Sequence, residues 1–391
     1  MKILSIETSC DETAVSIVEA TGDFPDATYT ILGNALFSQI DIHREYGGVF
    51  PALAKREHAK TLVPMLTRAL EEARLLHTRT DTLNQESLTE LHTILHRETG
   101  LCDMLIPFLE KNERPLIDLI AVTTGPGLEP ALWVGINFAR ALSYAWSIPV
   151  VSINHMEGHV LSSVFATDHI SQISFPALAL LISGGHTELN LISSWGEYKK
   201  IGETRDDAVG EAFDKVARML GLQYPGGPEI SSRARRAREE NLPQFLKLPR
   251  PMIDSDDFDF SFSGLKTAVR YGIEGKTLTE DDVASVAREF EDSVTEVLVK
   301  KVDSAICAHG IKTLIVGGGV SANTYIRDMF TKHIAEHHPE AVLFFPDQKL
   351  STDNSIMIAL AGHARANNAH TYTELGELHA NGNLSLTPEV C

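Results

Sequence analysis

The sequence predicts an α/β chain built of two similar halves, and three observations carry that prediction. Each half opens with strand, polar turn, strand. Each later shows an apolar strand that runs into a glycine-rich turn and a helix. The chain has 391 residues, 43% of them apolar, which is enough for two hydrophobic cores. The echo is one of element order rather than of residues. It points to a duplicated domain with the active cleft between the copies.

Residues 2–6 and 13–18 are apolar runs on either side of Glu7-Thr8-Ser9-Cys10-Asp11-Glu12, which reads as a β-hairpin with an acidic, hydroxyl-rich loop. Over 54–76, Leu62, Leu66, Ala69, Leu70 and Ala73 share one helical face. Residues 77–114 are more polar. There Ser87-Leu88-Thr89-Glu90 fits a capping box and Leu88, Leu91 and Leu95 follow at helical spacing, so a helical hairpin inserted on the surface is expected. A strand over 117–123 enters Gly125-Pro126-Gly127, followed by a helix over 131–146 and a strand over 150–153. The pattern then restarts with a strand at Ala177–Ile182, the turn Ser183-Gly184-Gly185-His186 and a strand over 188–192. A strand over 313–316, Gly317-Gly318-Gly319 and a helix from about Ala322 complete it. This organisation sets a first domain at 1–150, carrying the 77–114 insertion, and a second at 151–353. A C-terminal helix from about 354 to 391 is expected to pack back on the first.

Composition excludes several classes. No stretch approaches the roughly 18 apolar residues of a membrane span, and the N-terminus lacks a signal-peptide layout, so a cytoplasmic protein without membrane contact is expected. The cysteines at 10, 102, 307 and 391 form no CxxC pair, which argues for reduced thiols, with Cys391 loose at the tail, rather than disulfides or a cysteine zinc site. The net charge of −19 opposes non-specific nucleic-acid binding. A nucleic-acid partner would need other proteins or a local basic patch. Arg233, Arg235, Arg236, Arg238, Lys247 and Arg250 are either such a patch or a solvated helix face.

The sharpest chemical feature is His155-Met156-Glu157-Gly158-His159. Histidines at i and i+4 lie on one helix face and can reach one metal ion. The pattern is neither HExxH nor HxxEH, so no glutamate stands where those metalloproteases keep their general base. Asp353, in Thr352-Asp353-Asn354, either caps the helix that follows or completes a two-His, one-carboxylate site suited to Fe(II) or Zn(II). Glycine turns at 125–127, 184–185, 226–227 and 317–319 can bring backbone amides to phosphate, although none is a P-loop or GxGxxG. Asp214 can accept from ribose hydroxyls or pair with Lys215, and Asn323 can meet a ligand or cap a helix.

Ten segments together resemble the bacterial tRNA N6-adenosine threonylcarbamoyltransferase family, formerly described as O-sialoglycoprotein endopeptidase-like. They are IETSCDET (6–13), YGGVFP (46–51), TGPGL (124–128), HMEGH (155–159), SGGHT (183–187), GEAFDK (210–215), YPGGP (224–228), FSFSGLK (260–266), GGGVSAN (317–323) and TDN (352–354), in order over nearly the whole chain. The resemblance implies two actin-like ATPase (ribonuclease H-like) domains. It implies transfer of threonylcarbamoyl from threonylcarbamoyl-AMP to the adenosine 3′ of the anticodon in tRNAs reading codons that begin with A. By motif match, His155, His159 and Asp353 hold one metal ion, usually iron. Leu181, Ile182, Ser183, Gly184, Gly185, Asp214, Gly227 and Asn323 hold the adenylate, and Asp11 is a candidate catalytic carboxylate. The implied partners are tRNA, a related degenerate subunit, a small ATPase and an enzyme that makes the adenylate. No general base stands out. Two departures are visible: the 77–114 region is longer than the family's usual connection, and Asn154 stands where members often carry another histidine. The alternatives are a non-catalytic nucleotide-binding platform, against which the intact ligand set argues, and a metalloprotease, against which the missing glutamate argues.

Overall fold

The computed structural model describes residues 1–387, which fall into two compact units. The first comprises 1–43, 49–171 and 353–386. Its strands are β1 (Lys2–Glu7), β2 (Glu12–Thr21), β3 (Thr28–Ser38), β4 (Leu119–Gly125), β5 (Val150–Asn154), β6 (Phe165–Ala166) and β7 (His169–Ile170), in the sheet order β5-β4-β1-β2-β3-β7-β6. β1, β2 and β3 form an antiparallel meander, while β4 and β5 run parallel to β1. Every residue of β4 is buried, as a strand covered on both faces requires.

Its helices up to residue 171 are α1 (Ile40–Arg44), α2 (Pro51–Glu72), α3 (Gln85–Ile94), α4 (Thr99–Lys111), α5 (Glu129–Trp146) and α6 (His155–Val164). The expected hairpin at 77–114 is present as α3 and α4, but it is not merely a surface addition. Leu91, Leu95, Leu101, Leu105 and Leu109 are fully buried in the core of this unit. The proposed capping box is also displaced: Asn84 is the N-cap, and its side chain accepts from Ser87 N at 2.7 Å. Ser87 therefore sits inside the helix, where the cap's donor is needed rather than an acceptor.

The second unit comprises 44–48, 172–352 and residue 387. It holds β8 (Ala177–Ile182), β9 (Thr187–Ser194), β10 (Glu197–Glu203), β11 (Thr313–Gly317) and β12 (Val342–Phe344), ordered β10-β9-β8-β11-β12. This repeats β3-β2-β1-β4-β5 of the first unit: an antiparallel meander followed by two parallel strands. The duplication is thus one of topology. The helices are α7 (Val209–Met219), α8 (Gly226–Glu239), α9 (Ser263–Ile273), α10 (Glu280–His309) and α11 (Thr324–His337). A capping box at Thr279 starts α10, and Gly310, at φ 63°, ends it.

The chain returns to the first unit as α12 (Ser355–Ala364), which packs against β1, β2, β4 and α6. Two expectations need correction. The C-terminal helix stops at Ala364 and is followed by short 3-10 turns at Ala366–Asn368 and Tyr372–Glu377. Its apolar run ends there, and the polar stretch from Arg365 buries only scattered side chains such as Tyr372, Leu378 and Leu386 rather than a helical stripe. The expected boundary at residue 150 is also displaced. β5, α6 and the β6–β7 strands stay with the first unit because β5 hydrogen-bonds to β4. Cys10, Cys102 and Cys307 are free thiols; Cys391 lies outside the described residues. Among the described residues no helix is long and apolar enough to cross a membrane.

Candidate metal centre and glycine turns

Helix α6 begins on its first histidine. Asn154 is the N-cap, its side chain accepting from Met156 N at 2.9 Å, and its amide also donates to Ser385 O at 3.1 Å. The position at which Asn154 departs from the family pattern is therefore a helix cap. All ten residues of α6 are buried. Gly158 is needed for a close approach: a Cβ there would lie 3.0 Å from Met357 Cγ and 3.2 Å from Ile358 Cδ1 of α12. Since Asn354, not Asp353, is the N-cap of α12, its side chain accepting from Met357 N at 3.0 Å, Asp353 is released from capping.

The three expected ligands converge. His155 Nε2 and His159 Nε2 lie 3.3 and 3.2 Å from Asp353 Oδ1, and the donor atoms of all three are within 4.8 Å of one another. Ligands at about 2.0–2.1 Å around a tetrahedral ion stand about 3.3 Å apart. His159 is fully buried, yet neither ring nitrogen makes a hydrogen bond of good geometry. An unsatisfied buried polar group costs about 1–3 kcal/mol. Coordination of an ion would remove that cost, so the residues present fit a metal.

Sequence patterns alone did not single out Glu7. It is fully buried at the end of β1, and its Oε2 lies 3.0 Å from His155 Nδ1. Thr123 Oγ1 donates to the same carboxylate at 2.7 Å and Ser9 N at 2.5 Å. Burial pushes the Glu7 carboxyl up, but His155 outweighs it and holds it below the usual range. Burial likewise opposes the charged His155, and Asp353 and Glu7 outweigh it, raising this imidazole well above its ordinary value. Burial opposes ionisation of Asp353, but His155 and His159 drive its carboxyl far down. Burial lowers His159. The site is thus built to hold a positive charge. With an ion in place, Glu7 would accept from Nδ1–H of His155 and fix Nε2 as the ligand. Glu7→Gln is expected to weaken metal binding about 10–100-fold, as outer-shell substitutions do. Chelator competition measures this, and unchanged affinity would exclude the role.

Asp11 is buried in the β1–β2 loop; burial raises its carboxyl above the ordinary value. Glu12 is raised further by burial and by Asp11. Glu157 does not face the metal as a base: Arg365 holds its carboxylate in a bidentate pair at 2.9–3.2 Å.

In the second unit, Leu181 and Ile182 are fully buried residues of β8 paired with β9, so of the expected adenylate residues these two present no surface to a ligand. The Ser183-Gly184-Gly185 turn follows β8, and Gly317-Gly318-Gly319 follows its parallel neighbour β11. Gly318 has φ +88°, and a Cβ there would meet Ile182 O at 2.4 Å, so these two turns are pressed together. The carboxyl ends of adjacent parallel strands are where α/β sheets bind ligands. A Cβ at Gly184, Gly185, Gly227 or Gly319 would meet nothing within 4 Å, which leaves the turns open. Asp214 Oδ1 accepts from Gly226 N at 2.7 Å and anchors the start of α8. Lys215 pairs instead with Asp207 and Glu211. Asn323 caps α11 through Ile326 N at 3.0 Å and donates to Glu291 at 2.7 Å.

The FSFSGLK segment is pinned by Asp206, which accepts from Ser261 Oγ, Ser263 Oγ and the amides of Phe262 and Ser263 at 2.6–3.1 Å. Burial opposes its ionisation, but these donors hold its carboxyl at about 2. A depressed carboxylate stabilises above its unfolded pKa of about 3.9 and loses that contribution as pH falls toward the folded value. The urea midpoint of Asp206→Asn should therefore lie below wild type at pH 6, with the gap shrinking from about pH 4 downward. A pH-independent gap would refute this.

Four of the six residues of the expected basic patch are ion-paired. Arg233 pairs with Glu280, Arg236 with Glu240 and Asp281, Arg238 with Glu291 and Asp292, and Arg250 with Glu289 and Glu296. The acidic side chains of α10, packed on α8, neutralise most of these four charges, whereas Arg235 donates to the Thr324 hydroxyl at 3.3 Å.

These sheets and helices define an α/β protein of actin-like fold, with duplicated ribonuclease H-like domains and a His/His/Asp group able to hold a metal. HypF from T. kodakarensis shares the fold at a TM-score of 0.51 with 12% identity, over 94% of this chain and 49% of that one. The family model described as tRNA N6-adenosine threonylcarbamoyltransferase matches residues 30–82 and 110–360, and this chain belongs to that family. The unmatched stretch between them holds nearly all of α3 and α4. Proteins so named from Nitrosomonas eutropha and Ralstonia pickettii are each 42% identical, over 93% of this chain and 92% and 91% of theirs. One from Persephonella marina is 40% identical over 93% of this chain and 90% of its own.

Proposed function

We propose that this chain transfers the threonylcarbamoyl group of threonylcarbamoyl-AMP to N6 of the adenosine 3′ of the anticodon, in tRNAs reading codons that begin with A. The new N–C bond replaces the carbonyl–phosphate bond of the donor, AMP departs, and the amine loses a proton. The observation that carries the reading is the convergence of His155, His159 and Asp353, with His159 buried and its ring nitrogens unsatisfied, in a chain of this family.

His155, His159 and Asp353 would hold one divalent ion, Fe(II) in our reading and Zn(II) as the alternative. When bound, such an ion supplies Lewis-acid stabilisation of the phosphate leaving group. The donor is already an activated anhydride, so the residues need not create a strong nucleophile; they position it and exclude water. The turn at 183–185, carried by the buried end of β8, and Gly227 would cradle the adenylate, with Asp214 and Asn323 holding the α8 and α11 starts beside it. Asp11 is our candidate catalytic carboxylate. The chain would work in the cytoplasm with a related degenerate subunit and a small ATPase, taking its donor from a separate adenylate-forming enzyme. Nothing in the structure favours a catalytically silent platform, since all three ligands are present and converge.

The test is reconstitution with those partners, unmodified tRNA and threonylcarbamoyl-AMP, followed by nuclease digestion and mass spectrometry. Threonylcarbamoyl-adenosine is expected. Its absence, with the same partners active on another family member, would overturn the proposal.

A further inference from the structure

A second cluster of metal-ligating side chains lies in the second unit, apart from the site above. His333 on α11 and His338 just after it both direct Nε2 at Asp303 Oδ1 of α10, at 2.9 and 2.8 Å. The three donor atoms lie within 4.8 Å of one another. The His337 ring stacks on His333 at 4.3 Å between centroids, 16° from parallel, which restrains that imidazole. Lys300 approaches the other carboxylate oxygen, Oδ2, at 3.8 Å and leaves Oδ1 to the histidines. All three side chains are partly exposed, at 22%, 15% and 21%, so an ion and its water ligands have access.

We propose that Asp303, His333 and His338 form a second, exchangeable binding site for a divalent transition metal of the zinc class. Two imidazoles and one carboxylate suit zinc, copper or nickel better than magnesium or calcium. The present separations are hydrogen-bond lengths. A tetrahedral ion asks for about 3.3 Å between ligands, so the side chains need open by only a few tenths of an ångström. Each imidazole would give up its Nε2 proton and carry one on Nδ1 instead; His333 and His338 are free to do so at the surface. The ion would join the end of α11 to α10, with water completing its coordination, and would stabilise the second unit rather than take part in transfer.

The test uses the full chain, stripped with a chelator and dialysed against Zn(II), with bound metal measured by plasma mass spectrometry. The wild type should bind two equivalents and His333→Asn/His338→Asn one. The His155→Ala/His159→Ala chain should also retain one equivalent, held by the second site. Zinc should raise the melting temperature of the wild type more than that of the His333→Asn/His338→Asn variant. Asp303→Asn, which keeps hydrogen-bonding capacity, guards against misfolding of the double variant and should likewise bind one equivalent. No bound zinc in the His155→Ala/His159→Ala chain, or undiminished zinc in folded Asp303→Asn, would overturn the site and leave the cluster a hydrogen-bonded surface network.

Discussion

Replacing His159 with alanine is expected to abolish tight metal binding at the α6–α12 site and, with it, transferase activity. The loss should exceed the about 10–100-fold that follows from removing an outer-shell partner, because a ligand itself is gone. The fold should survive. His159 contributes no hydrogen bond of good geometry through its ring, and the Asp353 carboxylate that it approaches at 3.2 Å keeps His155 as a partner, so removing it leaves a small cavity next to α12 and no orphaned charge. Bound metal and product formation should therefore fall together while the circular dichroism spectrum is retained. Wild-type activity in His159→Ala would remove the metal from the account.

The second large effect is on stability. Arg365→Ala takes the guanidinium from Glu157, whose buried carboxylate it holds in a bidentate pair. Breaking a buried pair from one side costs about 3–5 kcal/mol. Arg365 is itself about a third exposed, so a value of about 3 kcal/mol or less is expected, read as a lower urea midpoint. The pair ties α6, which carries both histidines, to the end of α12, whose start adjoins Asp353. Metal affinity should fall as well, and Arg365→Lys should restore part of each. An unchanged midpoint would show that the pair is merely compatible with the fold.

Much of the fold was legible because the strands announce themselves. The apolar run at Ala177–Ile182 and the largely apolar one at 313–316 are buried on both faces and were placed to within a residue. The duplicated strand order could be expected as an echo, but pairing partners could not be read, since register depends on residues more than a hundred positions apart. That is also why the boundary fell at 150: nothing local in the β5 residues says that they pair with β4. The surface reading of 77–114 failed because polarity was averaged over a segment whose leucines all face one way.

The convergence of His155, His159 and Asp353 was legible from two histidines one turn apart and an aspartate beside a better helix cap. Glu7 was not, because a lone carboxylate ending a strand has no pattern; only the fold brings it to His155. The arginines of α8 misled for the complementary reason. Their charge is visible in the sequence, whereas the acidic face of α10 that cancels it is assembled by packing.

The most direct test of the central claim is product formation against metal content. The chain is stripped with a chelator and combined with the proposed partner proteins, tRNA and donor. Fe(II) is then returned in steps, with threonylcarbamoyl-adenosine counted by mass spectrometry. The account predicts little product from the stripped chain, a rise that follows iron binding, and no rise in His155→Ala/His159→Ala. Full product from the metal-free chain, or equal rates in the variant, would contradict it.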